Sequence, residues 1–208
     1  MIAMKTGLTI AATIAALANA AMTMPVSAQP AAARTSAVTE RLGIPGPITF
    51  DGKTYALAWS SQPSPTYIKQ EYVPAGQSVK TYTEMMLIEA VTQPVKPLDA
   101  ASAQVQMLQK RKSTDPVVNY EIIQNKQSGE VLLDFLISDT KADPIIIEWN
   151  AYRYVPLRGQ DGVALYAISR RAYGHDDAKA LLAGLKTSRK PAVTALAKFD
   201  LPAITIRK

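Results

Sequence analysis

Between Glu130 and Tyr173 the sequence runs EVLLDFLISDTKADPIIIEWNAYRYVPLRGQDGVALYAISRRAY. Val131, Leu133, Phe135 and Ile137 alternate with Leu132, Asp134 and Leu136, the two-residue period of a β-strand. Two further runs, Ile145 to Val155 and Val163 to Tyr173, are rich in β-branched and aromatic residues. The segments between them, Asp139–Pro144 and Pro156–Gly162, carry the Pro, Gly and Asp that turns require. The stretch is read as three consecutive antiparallel strands. A meander of this length needs cover on at least one face, and helices flank it in sequence.

Upstream, Ile48–Phe50 and Lys53–Trp59 bracket Asp51-Gly52, a strong hairpin signal. Gln62-Pro-Ser-Pro65 reads as a break, Tyr67–Val73 as a strand and Pro74-Ala-Gly76 as a turn. Thr81–Val91 reads as a long strand with Met85, Leu87 and Val91 on one side and Tyr82, Met86 and Ile88 on the other, covered on both faces. Pro94 and Pro97 close it, and Asp99 is the expected N-cap of a helix to Lys112 with Ala101, Val105 and Leu108 as its apolar stripe. Val117–Gln124 alternates as another strand. After the meander, Asp176 or Asp177 is expected to cap a second helix from Ala178 to Arg189. Its stripe is Ala178, Leu181, Leu182 and Leu185, and Pro191 stops it. Val193, Leu196 and Phe199 then form a last turn or short strand on the body.

The expected fold is a single-domain α+β structure with a largely antiparallel sheet of six to eight strands and two main helices. The order is four strands, helix, four strands, helix, spanning residues 48–208. That order, with the stretch Tyr72-Val-Pro-Ala-Gly-Gln77 before a long apolar strand, resembles the Mog1/PsbP-like α/β/α sandwich. The resemblance covers Ile48 to Arg189, and its members are mostly accessory or binding proteins. A cystatin-like or NTF2-like curved sheet is the competing architecture, and it requires both helices on one face.

Met1–Ala28 reads as a secretory signal peptide: Lys5, an alanine-rich apolar run, Pro25, and the small-residue pattern Val26-Ser27-Ala28. Cleavage after Ala18-Asn19-Ala20 fits the same rule. Residues 29–47, rich in Ala, Pro, Thr and Ser, read as a flexible tail, with a short helix from Thr35 to Leu42 ended by Gly43. The expected location is the periplasm or beyond, with no stable membrane insertion after cleavage.

Loss of residues 1–28 removes one Lys and no acid, leaving 22 Lys and Arg against 17 Asp and Glu, a formal charge of +5. That balance suits a small anionic ligand or a protein partner and does not call for nucleic acid. The densest basic cluster, Lys110-Arg111-Lys112, sits at a helix end where cations complement the dipole. The chain has no Cys, so neither a disulfide nor a lipid-anchored cysteine is available.

Nucleophilic catalysis usually needs a base beside the nucleophile, and the chain has one His. His175 with Asp176 and Asp177 is a candidate metal or acid/base group, in a first helical turn where acids are favoured anyway. No cofactor is implied. Glu71, Glu84, Glu89, Glu121, Asp134 and Glu148 lie on strands and would serve an acid/base hydrolase only if two converged across a cleft. Tyr152, Arg153, Tyr154, Arg170 and Arg171 are the candidate binding group, because Tyr and Arg bring large contact area with a polar end. The expectation is an exported, non-catalytic binding or accessory protein. An exported hydrolase and a cell-envelope assembly or inhibitor protein are the alternatives.

Overall fold

The structure, a computed structural model, describes residues 38–206; the expected leader lies outside them. Eight strands and two helices follow the expected order. They are β1 (Ile48–Phe50), β2 (Lys53–Ser64), β3 (Tyr67–Val73), β4 (Glu84–Val91), α1 (Pro97–Arg111), β5 (Asn119–Gln124), β6 (Val131–Asp139), β7 (Ile146–Pro156), β8 (Val163–Tyr173) and α2 (Gly174–Lys198). The fold class is α+β, one antiparallel sheet in the order β1-β2-β3-β4-β8-β7-β6-β5. Two four-stranded meanders meet where β4 pairs β8, from Glu84↔Arg170 to Val91↔Val163.

The alternation along β6 decides the layering. Val131, Leu133 and Phe135 join Ala101 and Leu108 of α1 in one core cluster. Leu132 and Leu136 pack on the opposite cluster, which holds Trp149, Met86, Ile88 and Leu185, Ala192 and Leu196 of α2. The helices therefore cover opposite faces, where a cystatin-like or NTF2-like sheet would place them on one. Leu98 and Met107 of α1 stay exposed, as the narrow stripe requires.

Several breaker signals were overridden. β2 runs to Ser64 through the expected break at Gln62–Pro65. β1 covers only Lys53–Tyr55 of it, so Pro63 sits on a free edge, next to a register shift between Ser61 and Ser64, where a missing N–H costs no ladder bond. α2 continues to Lys198 with Pro191 inside it. Pro191 leaves the Thr187 carbonyl without its intrahelical donor, but the last turns bury Ala192 and Leu196. Val193 and Leu196 are thus helical, not part of a separate turn or strand, and Leu182 of the expected stripe is exposed.

Other boundaries moved less. α1 begins at Pro97 after Lys96, with Asp99 in its first turn, and α2 follows Tyr173; neither start has a side-chain cap. β4 starts at Glu84, and Tyr82 packs with Val73 and Met85 instead of on the Met86 side. The segment 38–47 is not a bare tail. Leu42 and Ile44 are buried in the main core, and residues 38–42 are not helical. Gly43, at φ 71°, brings the chain against Thr205, whose N–H bonds the Leu42 carbonyl at 2.7 Å.

Candidate functional site

Strand alternation sends Arg170 and Arg171 to opposite faces. Arg170 lies on the α2 face. Its Nε is 3.6 Å from Glu84 Oε1, an Nη is 4.0 Å from Asp51, and its guanidinium lies 5.4 Å from the Trp149 ring centroid. Nη1 reaches Ser188 Oγ at 3.4 Å. These are long contacts for a guanidinium. The cross-strand pair Glu84↔Arg170 sets the carboxylate there. The Asp51-Gly52 hairpin turn, both residues at positive φ, brings Lys53 to it, with Nζ donating to Glu84 Oε2 at 2.6 Å.

Two cations thus share one carboxylate. They line a cleft of about 580 Å³ bounded by the strand ends, the 74–83 loop and the first turns of α2, with Gln77, Thr83 and Asp177 also on its wall. Tyr55 Oη stands 3.4 Å from Glu84. Burial, then the Glu84 charge, pushes that phenol well above its ordinary range, so it remains a neutral donor.

Arg171, on the other face, is committed. Its Nε donates to Glu148 Oε2 at 2.5 Å and its guanidinium stacks 4.1 Å from the Tyr82 ring centroid. Tyr82 Oη donates to the same Glu148 oxygen at 2.7 Å. Tyr152 and Tyr154 share that face but not that cluster. Tyr152 packs edge-on against Phe135 and Tyr154, and burial raises both phenols.

Arg153 points the opposite way, toward the end of α2. Nη1 donates to the Leu196 and Phe199 carbonyls at 3.0 Å each, and the guanidinium pairs with Glu130 at 3.0 Å. It borders a second concavity of about 380 Å³, beneath the C-terminal segment, with its donors already engaged. There Tyr166 donates to the Pro202 carbonyl, and burial lifts its pKa to about 12.

The expected five-residue group is therefore divided. Arg153 and Arg170 lie on the α2 face at different ends, Tyr152, Tyr154 and Arg171 lie on the α1 face, and only Arg170 and Arg171 border the cleft. His175, Asp176 and Asp177 are exposed in the first turn of α2. They do not converge: among the described residues no three His, Cys, Asp or Glu side chains are grouped to hold a metal.

Each of the six strand carboxylates singled out in the sequence has a cation beside it. Glu71 and Glu89 share Lys69 at 3.1 and 3.8 Å, Glu121 and Asp134 share Arg189 at 2.5 Å each, and Glu84 and Glu148 have the partners above. Burial raises the Glu89 pKa, with Lys69 opposing it. No pair of these acids flanks the cleft, whose wall holds Glu84 alone among them.

Lys53, Gln77 and Thr83 escaped the sequence reading as site residues. Thr83 N–H and Gln77 Oε1 hold the loop together at 2.8 Å. The available signal for Lys53 was its place just after the hairpin turn; its partner required the strand register.

No helix among the described residues is long and apolar enough to cross a membrane. Comparison with curated proteins and with solved structures finds no match. A protein-family model matches residues 42–201, more than half of the chain, and the protein belongs to that family, one of uncharacterised function.

Proposed function

We propose that this chain is an exported binding or accessory protein of the cell envelope that holds a small anionic ligand in the cleft beside Arg170, without catalysis. The observation that carries the reading is the convergence of Lys53 and Arg170 on one carboxylate, Glu84, at the wall of that cleft. A guanidinium held only by long contacts can turn toward an incoming oxyanion and form the short, charge-assisted bonds it lacks. Pairing of the strand acids with Lys and Arg favours binding over hydrolysis, because a general acid or base must be free to exchange its proton with substrate. The leader pattern in residues 1–28 supports export. The placement of the helices on opposite faces supports the likeness to the Mog1/PsbP-like sandwich and its accessory proteins.

The test is an NMR titration of isotope-labelled protein recovered from the periplasm, with inorganic phosphate and citrate as probes. Saturable shifts are expected at Lys53, Thr83 and Arg170, at least tenfold weaker in a Lys53→Ala, Arg170→Ala double variant. Absence of saturation, or equal saturation in the double variant, removes the cleft as an anion site. Mass spectrometry of the same sample is expected to place the N-terminus at Gln29 or Ala21; a full-length chain held in the cytoplasm would overturn export.

A further inference from the structure

The two edges of the sheet differ. At one edge β1 is three residues long, and the part of β2 it leaves open carries Pro63 and register shifts. These are devices that prevent a strand from pairing with another chain. At the other edge β5, Asn119-Tyr-Glu-Ile-Ile-Gln124, has no Pro, no Lys and no register shift against β6. Ile122 and Ile123 are 40% and 48% exposed, and as consecutive strand residues they project on opposite faces.

β5 is also held in place. Gln109 of α1 donates to Tyr120 Oη at 3.0 Å, and Arg189 of α2 pairs with Glu121 at 2.5 Å. Both helices thus fix this strand in extended form.

The pattern of its free backbone groups follows from the hairpin. Asn125 N–H bonds the Glu130 carbonyl, so the alternate pairs Ile123↔Leu132, Glu121↔Asp134 and Asn119↔Leu136 exchange bonds with β6. Tyr120, Ile122 and Gln124 then present N–H and C=O outward.

We infer that β5 is a self-association edge, where a second copy of this chain adds its own β5 antiparallel about a two-fold axis at Ile122. In that register Ile122 faces its own mate, and Tyr120 faces Gln124 of the second copy, so all outward groups of the strand are matched. Glu121 faces Ile123 of the second copy, so no like charges oppose each other. Shifting the axis to Glu121 would set two carboxylates face to face. The pairing covers the exposed isoleucines of both copies and joins two sheets into one, the closed isologous contact expected of a homodimer. It is independent of the anion cleft.

The experiment is sedimentation equilibrium of the purified protein from low micromolar to several hundred micromolar, with hydrogen exchange at both ends of the range. The expected mass rises to twice that of the chain, with slowed exchange at the Tyr120, Ile122 and Gln124 amides. Ile122→Pro removes an outward donor that β6 does not use and is expected to stay monomeric with unchanged circular dichroism. Ile122→Lys with Ile123→Lys, at exposed positions, is expected to be monomeric as well and serves if the proline variant misfolds. A monomer at every concentration overturns the inference and points to a strand from another protein. A dimer that persists in the folded variants overturns it too, because the contact then lies elsewhere.

Discussion

Asp115 shows how much one buried carboxylate can organise. It accepts from Ser138 N–H at 2.7 Å, Ser138 Oγ at 2.6 Å, Val117 N–H at 3.1 Å and Arg111 Nε at 2.9 Å, tying the end of α1 to the end of β6. Burial alone would raise its pKa. The bonds from Ser138, Arg111 and Val117 outweigh it and hold the carboxyl below its ordinary range. A depressed carboxyl stabilises the fold above the unfolded value, about 4, and that contribution is lost as pH falls through the lower folded value. Asp115→Asn keeps the shape but turns an amide toward N–H and O–H donors. It should cost about 2–4 kcal/mol at neutral pH. Urea unfolding at pH 7 and pH 3 checks this: the gap between variant and parent should narrow in acid, and an equal gap at both pH values would show that the charge is not what stabilises this junction.

At the scale of elements, Arg153 closes α2. A helix ends with carbonyls that lack donors, and a cation there also meets the negative end of the dipole; Arg153 bonds the Leu196 and Phe199 carbonyls while pairing with Glu130. Arg153→Ala is therefore expected to destabilise the protein by about 1–3 kcal/mol and to leave anion binding at the cleft unchanged. Thermal unfolding and the phosphate titration, run on the same variant, separate the two effects; lost binding with unaltered stability would return Arg153 to the binding site. The order of elements was legible because β6, β7 and β8, covered on both faces, read as long runs rich in apolar, β-branched and aromatic residues bounded by turn residues. The end of helix α2 is not legible at Pro191, because a local breaker signal competes there with burial of Ala192 and Leu196, which only the tertiary structure supplies. The site was less legible still. Arg170 and Arg171 could be singled out by residue type, but Glu84 and Lys53 become their neighbours, or fail to, through strand register. Tyr152 and Arg153 share the residue-type signal of a binding surface and are adjacent in sequence, but alternation puts them on opposite faces.

For the whole molecule, the segment before β1 matters more than its composition suggests. Leu42 is fully buried and Ile44 nearly so. Glu40 Oε1 accepts from both their N–H groups, and Gln70 and Tyr72 of β3 spend their buried polar atoms on this segment: Gln70 Oε1 accepts from Arg41 N–H, and Tyr72 Oη donates to the Ile44 carbonyl. The C-terminal segment closes over it through Thr205 N–H on the Leu42 carbonyl. The family match begins at residue 42, six positions before the first strand. A chain begun at Ile48 should therefore be much less stable than one begun at Val38. Burial of two aliphatic side chains is worth about 3–6 kcal/mol, and the orphaned Gln70 and Tyr72 groups add to the loss. Urea midpoints of the two chains test this directly. Equal midpoints would mean that residues 38–47 are a tail after all, whereas a large loss would show that the domain's core is completed by chain lying outside its own sheet.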